Sequence, residues 1–600
     1  MGSKYSSSSH FLLSSKQKTF VILLLLFIII PLIIPFEKPN SVPNLTNRIK
    51  LVEKTNLKPP WFDIIENSIG RSNSINIGLV NINKSVETTL YQELTSLYPQ
   101  VEKVVFVDFD HVDGSLTWKD LFPVWIDEDE INSKPKCHDM PMPTWEDYRD
   151  INVVVARVPC GNRTKKGGVR DVFRLHVNLV VANLAVESGW VKKLDSYEQV
   201  YVVFIGPCEP MIEIFRCDDL LLHDSMGEFW VYEPDLRSLR QKTLMPVGSC
   251  QIAPPYAEIV GQVTIVDMID DLQGKEVWRG YMSQSAATEN YNQTMMKLPR
   301  FAYVTILHSS EAYVCGAIAL AQSLLQRESS TLQYNNYIID LVLLADDSIT
   351  PKSIRGLKAA GWKIKRIERI LNPFAEKGTY NEWNYSKLRI WQLTMYDKII
   401  FLDSDLLVLK NIDDFFSYPQ LSAAPNDFTL FNSGMMVIEP SQCMFKHLLD
   451  KTLEIKSYNG GDQGLINEVI TWWHRLPRKV NFLKIFEPLP GENERHEIPN
   501  ELYVMHYLGL KPWMCYRNYD CNWDMLKLHV FASDSAHQRW WEVYDNMPKV
   551  LQSYCGLSKK MDERNMKRRQ RARNNRNFND DHWNIQVKDP RRNRLADHYN

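Results

Sequence analysis

Apolar positions in the second half of the chain alternate between two periods. Residues 301–307, 337–344 and 362–367 are continuous β-branched and aromatic runs, and between them 312–325 and 352–361 carry apolar residues at helical spacing. The order strand, helix, strand, helix, strand predicts an α/β fold whose parallel sheet is covered by helices. A further helix over 386–395 leads into the apolar run 398–402, which stops abruptly at Asp403-Ser404-Asp405. In open α/β sheets ligands sit beyond the carboxyl ends of strands, so these aspartates stand where chemistry is expected. Earlier in the chain, short β-rich runs at 75–80, 104–107, 151–158 and 200–205 predict a separate α/β region over 71–290, with a boundary in the polar, aperiodic stretch 283–297.

The N-terminus follows a different pattern. Residues 20–36 are apolar except for Pro31 and Pro35, and Lys4, Lys16 and Lys18 precede them. Such a run reaches roughly 25 Å as a helix, at the short end for a membrane span. The lysines place its N-terminus in the cytosol. A cleaved signal peptide is the competing reading, but the run exceeds a usual apolar core and no small-x-small site follows it. The expectation is a cytosolic tail (1–18), an uncleaved signal-anchor (19–36), a polar stem (37–70), the α/β region (71–290), a catalytic domain (298–556) and a basic, solvated, disordered tail (557–600). That tail includes Lys567, Arg568, Arg569, Arg571, Arg573 and Arg576.

Everything after the anchor would then be lumenal. Triplets at Asn44, Asn83, Asn162 and Asn292 have the form of N-glycosylation acceptors, and ten cysteines suit an oxidising compartment, with a connectivity that spacing does not give. At 600 residues the chain calls for more than one domain. Its formal net charge of -2 excludes a global field that would gather nucleic acid, so anion binding has to be local.

Two carboxylates one residue apart at a strand end can share a divalent cation, because the residue between them turns away. Hard cations such as Mn²⁺ and Mg²⁺ favour such oxygen donors and also bind diphosphates. The motif alone is weak: Asp108-Phe109-Asp110 looks the same locally, and with no supporting cluster it reads as structural. The second copy is followed by Asn432-Ser433-Gly434, by Asn459-Gly460-Gly461-Asp462-Gln463-Gly464 and by His506-Tyr507-Leu508-Gly509-Leu510-Lys511-Pro512-Trp513. Glycines allow close backbone approach, a lysine offers phosphate a point charge, and a histidine can complete a metal sphere.

Residues 301 to about 540 thereby resemble glycosyltransferase family eight, the glycogenin family. The resemblance implies a GT-A type nucleotide-diphospho-sugar transferase domain and transfer from a UDP-sugar donor with retention of configuration. It also implies a metal site of Asp403, Asp405 and His506 taking Mn²⁺, or Mg²⁺, with Asp403 near the ribose. By the same resemblance Lys511 and Gly509 contact the diphosphate. Ser404 and the stretch Tyr507, Leu508 and Leu510 line the donor site, and Asn432, Ser433 and Gly434 with Asn459, Gly460, Gly461, Asp462 and Gln463 surround the donor sugar. Lys387 matches a lysine important for activity, and Tyr313 one that stacks on uracil. Asn459 departs from the family's aspartate, so a role argued from that carboxylate does not transfer, while Asp462 remains available.

The anchor, the long N-terminal region and the tryptophans at 472, 473 and 513 look more like the plant branch that adds glucuronic acid to xylan in the Golgi. This implies a single-pass type II Golgi membrane enzyme with a polysaccharide acceptor and no nucleic-acid partner. A glucuronosyl donor brings an extra carboxylate, for which Arg389 and His308 are the candidates. Retention needs either a covalent intermediate, with Asp462 as the candidate nucleophile, or attack on the face that UDP leaves; the sequence leaves both open. Other readings are a family member using UDP-galacturonate, UDP-galactose or UDP-glucose on a different wall polymer, and a non-catalytic scaffold. Asn384-Tyr385-Ser386 is formally a glycosylation triplet but lies beside Lys387, so it should stay unmodified.

Overall fold

The structure, a computed structural model, describes residues 59–600 except 71–72, 85–93, 97, 124–125, 127, 129–136, 161–169, 192–195, 225–228, 256–298, 328–332, 335–336, 428, 487–495, 575–581 and 592–600. The expected anchor at 19–36, the stem up to residue 58, the boundary in 283–297 and the triplets at Asn44, Asn162 and Asn292 lie outside the described residues. Among the described residues no helix is long and apolar enough to cross a membrane.

The first sheet has six strands: β1 (Ile75–Val80), β2 (Val101–Phe106), β3 (Val153–Arg157), β4 (Tyr201–Ile205), β5 (Leu220–His223) and β6 (Phe229–Tyr232). They stand in the order β2-β1-β3-β4-β6-β5, with the first four parallel and β6 antiparallel to both its neighbours. Helix α1 (Val172–Gly189) packs on this sheet and buries most of its length; Asp171 caps its start by accepting the Arg174 N–H. The Asp108-Phe109-Asp110 motif follows β2 in this sheet, and the Asp108 carboxylate forms an exposed ion pair with Lys84 at 2.5 Å.

The second sheet carries the predicted alternation. Strand β7 (Phe301–Leu307) is followed by a 3₁₀ turn (Glu311–Tyr313) and α2 (Val314–Arg327), then β8 (Tyr337–Ala345), α3 (Pro351–Ala359) and β9 (Lys363–Arg366). Strand β10 (Lys398–Leu402) pairs parallel with β7, and β7, β8 and β9 are also mutually parallel. All seven residues of β7 and all five of β10 are buried, which is why these strands read as continuous apolar runs rather than alternating ones. Beyond β10 the sheet continues antiparallel through β13 (Phe431–Ile438) to β12 (Ser422–Pro425), and β14 (His474–Arg475) joins β12. A small third sheet sets β11 (Leu406–Val408) against β16 (Val504–His506), with β15 (Phe482–Leu483) on the far side.

Two expectations are corrected. The helix expected over 386–395 is a 3₁₀ stretch (Tyr380–Gln392). Within it the Ser386 hydroxyl accepts the Ile370 N–H of the preceding loop, and Asn384 donates to Asn381 three residues back, so side chains hold the segment in a conformation other than a regular helix. The tail expected to be disordered forms helix α6 (Lys559–Asn574) and packs against the catalytic half. Asn565 in it is fully buried and donates to the Met514 carbonyl, while the buried Arg591 further on donates to the backbone oxygens of Trp513, Cys515 and Cys555. Within the basic run itself only Arg569 is buried, donating to the Trp583 and Ile585 carbonyls, while Lys567, Arg571 and Arg573 remain exposed as a solvated charge run would be.

The two large sheets share one apolar core, in which Trp230, Leu236 and Phe204 belong to the same buried cluster as Trp391, Trp472 and Trp473. Disulfide Cys217–Cys443 crosses between them, and so do the ion pairs Arg216–Glu439 at 2.7 Å, Arg170–Glu468 at 3.1 Å and Arg475–Glu128 at 2.8 Å. Residues 71–255 are therefore continuous with the catalytic half. All ten cysteines are paired: 137–250, 160–208, 217–443, 315–555 and 515–521.

Candidate active site

Because β7 to β10 are parallel, their carboxyl ends share one edge of the sheet. His308 follows β7, Asp346 follows β8, Arg369 lies in the loop after β9, and Asp403 follows β10. The Asp403 N–H donates to the Gly434 carbonyl at 2.8 Å, and β11 leaves directly from Asp405 to pair Leu406 with His506. That pairing brings an imidazole from a hundred residues away against the aspartates. One ligand atom each from Asp403, Asp405 and His506 falls within 4.8 Å of the others, the single such cluster among the described residues.

The donor set is two carboxylates and an imidazole, which suits a hard divalent cation. His506 Nδ1 lies 3.1 Å from Asn481 Oδ1, so it carries the proton and donates, and the lone pair on Nε2 faces Asp405 at 3.5 Å. Asn481 in turn donates to Asn432 Oδ1 at 2.9 Å, and Asn432 Oδ1 also accepts the Gly434 N–H at 2.9 Å. Position 434 has to be glycine: a Cβ there would stand 2.5 Å from His506 Cε1.

Two buried lysines neutralise the acids. Lys387 Nζ lies 2.6 Å from Asp462, 3.1 Å from Asp403 and 3.3 Å from the Ser433 hydroxyl, which itself donates to Asp462. Lys511 Nζ lies 2.6 Å from Asp405 and donates to the Tyr507 carbonyl. Burial pushes Asp403 up to about 6, and the nearby Asp405 carboxylate reinforces this against the pull of Lys387. Burial pushes Asp405 the same way, but the Lys511 ammonium is the largest opposing influence and the carboxyl is held well below the usual range. For Lys387 burial favours the neutral amine, and the Asp403 and Asp462 charges override it, raising its pKa above the ordinary lysine value. The centre is thus dense in fixed charge.

The glycine-rich turn is set by Asn459. Its side-chain oxygen accepts the N–H groups of Gly461 and Gly464 and the Ser457 hydroxyl, so it shapes the start of α5 (Asp462–Val469) and aims Asp462 at Lys387. Gln463 accepts the Ser433 N–H. Tyr313 stands beside Lys511, whose Nζ is 5.9 Å from its ring centre, and packs edge-on against Trp513. Asn384 is buried, and its side-chain amide donates to Asn381.

Other expected residues lie elsewhere. Arg389 points away from this edge: its Nε donates to the Glu368 carbonyl, Nη1 donates to Gln392, and the guanidinium covers the Phe445 ring. It is held in the packing against α4 (Gln442–Glu454) rather than in the donor cleft. Tyr507 is wholly buried, its hydroxyl donating to the Ala536 carbonyl, and Leu510 packs on a cluster around Cys515 and Trp523, so both shape the turn from behind. His308, in contrast, is half-buried at the carboxyl end of β7, and this partial burial lowers its pKa against the opposing charge of Asp346. Sequence reasoning missed Asn481 and Arg369. Neither lies in a glycine or paired-acid motif, and only the β15–β16 pairing and the loop after β9 bring them in.

Comparison with known proteins agrees with this site. A family model described as glycosyl transferase family 8 matches residues 304–421, and one described as GUX1-5 N-terminal domain matches residues 51–250. UDP-glucuronate:xylan alpha-glucuronosyltransferase 2 of Arabidopsis thaliana is 45% identical over 549 residues, covering 90% of this chain and 84% of its own length. The chain belongs to glycosyl transferase family 8. A provisionally assigned member numbered 5 in the same Arabidopsis thaliana series is 48% identical over 92% of this chain and 91% of its own length. Family 8 likeness extends to human glycogenin-1, 30% identical over 43% of this chain and 75% of that protein. The family 8 assignment makes the chain a glycosyltransferase of mixed α/β, GT-A-like architecture, with an Asp-Asp-His cluster fit for a divalent metal.

Proposed function

We propose that this chain transfers glucuronic acid from UDP-glucuronate to xylan, retaining the anomeric configuration, as a single-pass type II protein of the Golgi membrane anchored by residues 19–36. The observation that carries the reaction type is the convergence of Asp403, Asp405 and His506 at one sheet edge, with Lys387 joining Asp403 to Asp462 beside them. The donor and acceptor rest on the likeness, along most of the chain, to proteins named UDP-glucuronate:xylan alpha-glucuronosyltransferase.

Asp403, Asp405 and His506 would hold Mn²⁺, which supplies Lewis-acid stabilisation of the departing diphosphate. The chain's own groups do the rest. Lys511 and Lys387 place fixed positive charge where the β-phosphate gains negative charge, at no cost of solvent reorganisation. Asp462, fixed by Lys387 and Ser433, faces the sugar side of that lysine and orients the donor ring or its developing positive charge. The purified full-length chain, given Mn²⁺, xylo-oligosaccharides and a panel of UDP-glucuronate, UDP-galacturonate, UDP-galactose and UDP-glucose, should add a hexuronosyl unit to the oligosaccharide from UDP-glucuronate. Chelation, Asp403→Ala or Asp405→Ala should each abolish the product; near-normal turnover in both variants would exclude this site.

A further inference from the structure

A glucuronosyl donor places a fourth carboxylate in a cleft that already contains three, from Asp403, Asp405 and Asp462. Unless a cation faces it, like-charge repulsion disfavours such a donor relative to a neutral hexose. Lys387 and Lys511 are already engaged by those three acids. Arg389, the obvious cation by sequence, is turned into the packing.

The loop after β9 supplies another. Arg369 Nε bonds the buried Asp346 carboxylate at 3.2 Å, Nη1 reaches the Ser309 hydroxyl at 3.4 Å, and the guanidinium lies 4.3 Å from the centre of the Trp383 ring. A flat ion clamped on one edge by a carboxylate and on one face by an indole has little freedom left, and Nη2 takes no part in these contacts. The side chain is 37% exposed, so the guanidinium is accessible to a ligand at this end of the sheet. Beside it His308 Nδ1 shares a hydrogen bond of 3.0 Å with the same Ser309 hydroxyl, and Nε2 has no partner among the described residues. His308 directly follows β7, so it stands at the same carboxyl edge of the sheet as Asp403, which follows β10. The loop bearing Arg369 is tied to the sugar-side turn as well, since Asn372 donates to the Gly460 carbonyl at 3.0 Å.

We infer that Arg369, with His308 beside it, forms the subsite that receives the carboxylate of the donor sugar and so selects a uronosyl over a neutral hexosyl donor. This rests on the functional reading above and names the residues behind its donor choice. Arg369 makes a charge-assisted contact with the carboxylate, and His308 contributes a second hydrogen bond through Nε2.

The test compares kcat/KM for UDP-glucuronate and UDP-glucose in the full-length protein and in Arg369→Ala, Arg369→Lys and His308→Ala, with inhibition constants replacing kcat/KM for a donor that is not turned over. Arg369→Ala should lower the UDP-glucuronate value on the order of 100-fold and leave UDP-glucose within about threefold, reversing the preference. Arg369→Lys, which keeps the charge and loses the fork, should fall between. His308→Ala should narrow the preference without changing inhibition by UDP. Parallel loss of both donors, or a matching loss of UDP inhibition, would overturn the inference by assigning Arg369 to nucleotide binding or to folding; an unchanged preference in both alanine variants would overturn it too. A wild-type protein that transfers no glucuronic acid sinks the functional reading instead, before any variant is made.

Discussion

Lys387 is the residue on which the site's charge balance turns. Its ammonium is nearly enclosed, with 8% of the side chain exposed, and stands between Asp403 and Asp462. Removing one partner of a buried charge set leaves the others uncompensated at a cost of about 3–5 kcal/mol. Lys387→Met should therefore lower both the thermal midpoint and turnover, with kcat/KM falling on the order of 1000-fold; a variant with wild-type kcat/KM would remove Lys387 from the reaction. Asn481 acts one step further out. It fixes which nitrogen of His506 faces Asp405, so Asn481→Leu should weaken metal binding about 10- to 100-fold while saturating Mn²⁺ restores most of kcat. A metal titration of activity separates this from a folding defect, which excess metal would not rescue. The paired aspartates and the histidine were legible because their residue types and order are chemically specific. Asn481 was not, since an asparagine before a two-residue strand has no mark of its own until the strand is paired.

At the scale of elements, the metal loop is braced from behind by α2. Gly316 lies in that helix, where a Cβ would come within 2.3 Å of the Ser404 carbonyl oxygen and 2.6 Å of the Trp513 ring. Backbone on one side and a packed indole on the other leave nothing that can yield. Gly316→Ala gains helix propensity of about 1 kcal/mol, yet it has to push the Asp403-Ser404-Asp405 turn outward. The expected result is a lower thermal midpoint and a raised metal requirement together; a stabilised variant with unchanged metal dependence would show that the turn moves freely. The core strands of this half were readable from sequence because burial on both faces leaves an uninterrupted apolar run, as in β7 and β10. The stretch Tyr380–Gln392 was not, because its conformation goes with side-chain bonds, to the loop at 370 and internally between Asn384 and Asn381, that no periodicity encodes. The third sheet was hidden for the same reason. Strand β11 has three residues, and its partner β16 lies about a hundred positions away. The helix under the basic run, α6, was missed because composition does not reveal that Asn565, Arg569 and Ala572 form a buried face beneath the exposed cations.

Over the whole molecule, the decisive feature is the seam between the first sheet and the catalytic half, which no local pattern could show. Opposite charges are buried there in number: Glu439 faces Arg216, Lys398 and Lys242, and Glu213 accepts the N–H and hydroxyl of Thr471. His474, in β14, is buried beside them with neither ring nitrogen bonded. Burial, reinforced by the charge of Lys242 and opposed by Glu439, pushes its pKa down to about 3, and Lys242 itself is pushed down to about 8 by burial. The sign follows from linkage: between its folded pKa and its unfolded value near 6.5, His474 is neutral in the folded chain and protonated in the unfolded one. The unfolded state then binds the extra proton, so this contribution is complete above about pH 6.5 and is lost as the pH falls towards 3. At about pH 5 the loss amounts to about 2 kcal/mol relative to neutral pH. His474→Leu removes the titrating group without orphaning any hydrogen-bond partner, and should flatten the fall in thermal midpoint between about pH 7 and pH 5 by that amount. Equal slopes in the variant and the parent would place the acid sensitivity in the surrounding carboxylates instead. A reduced slope would identify the seam between the two sheets as the part of the molecule that acid opens first.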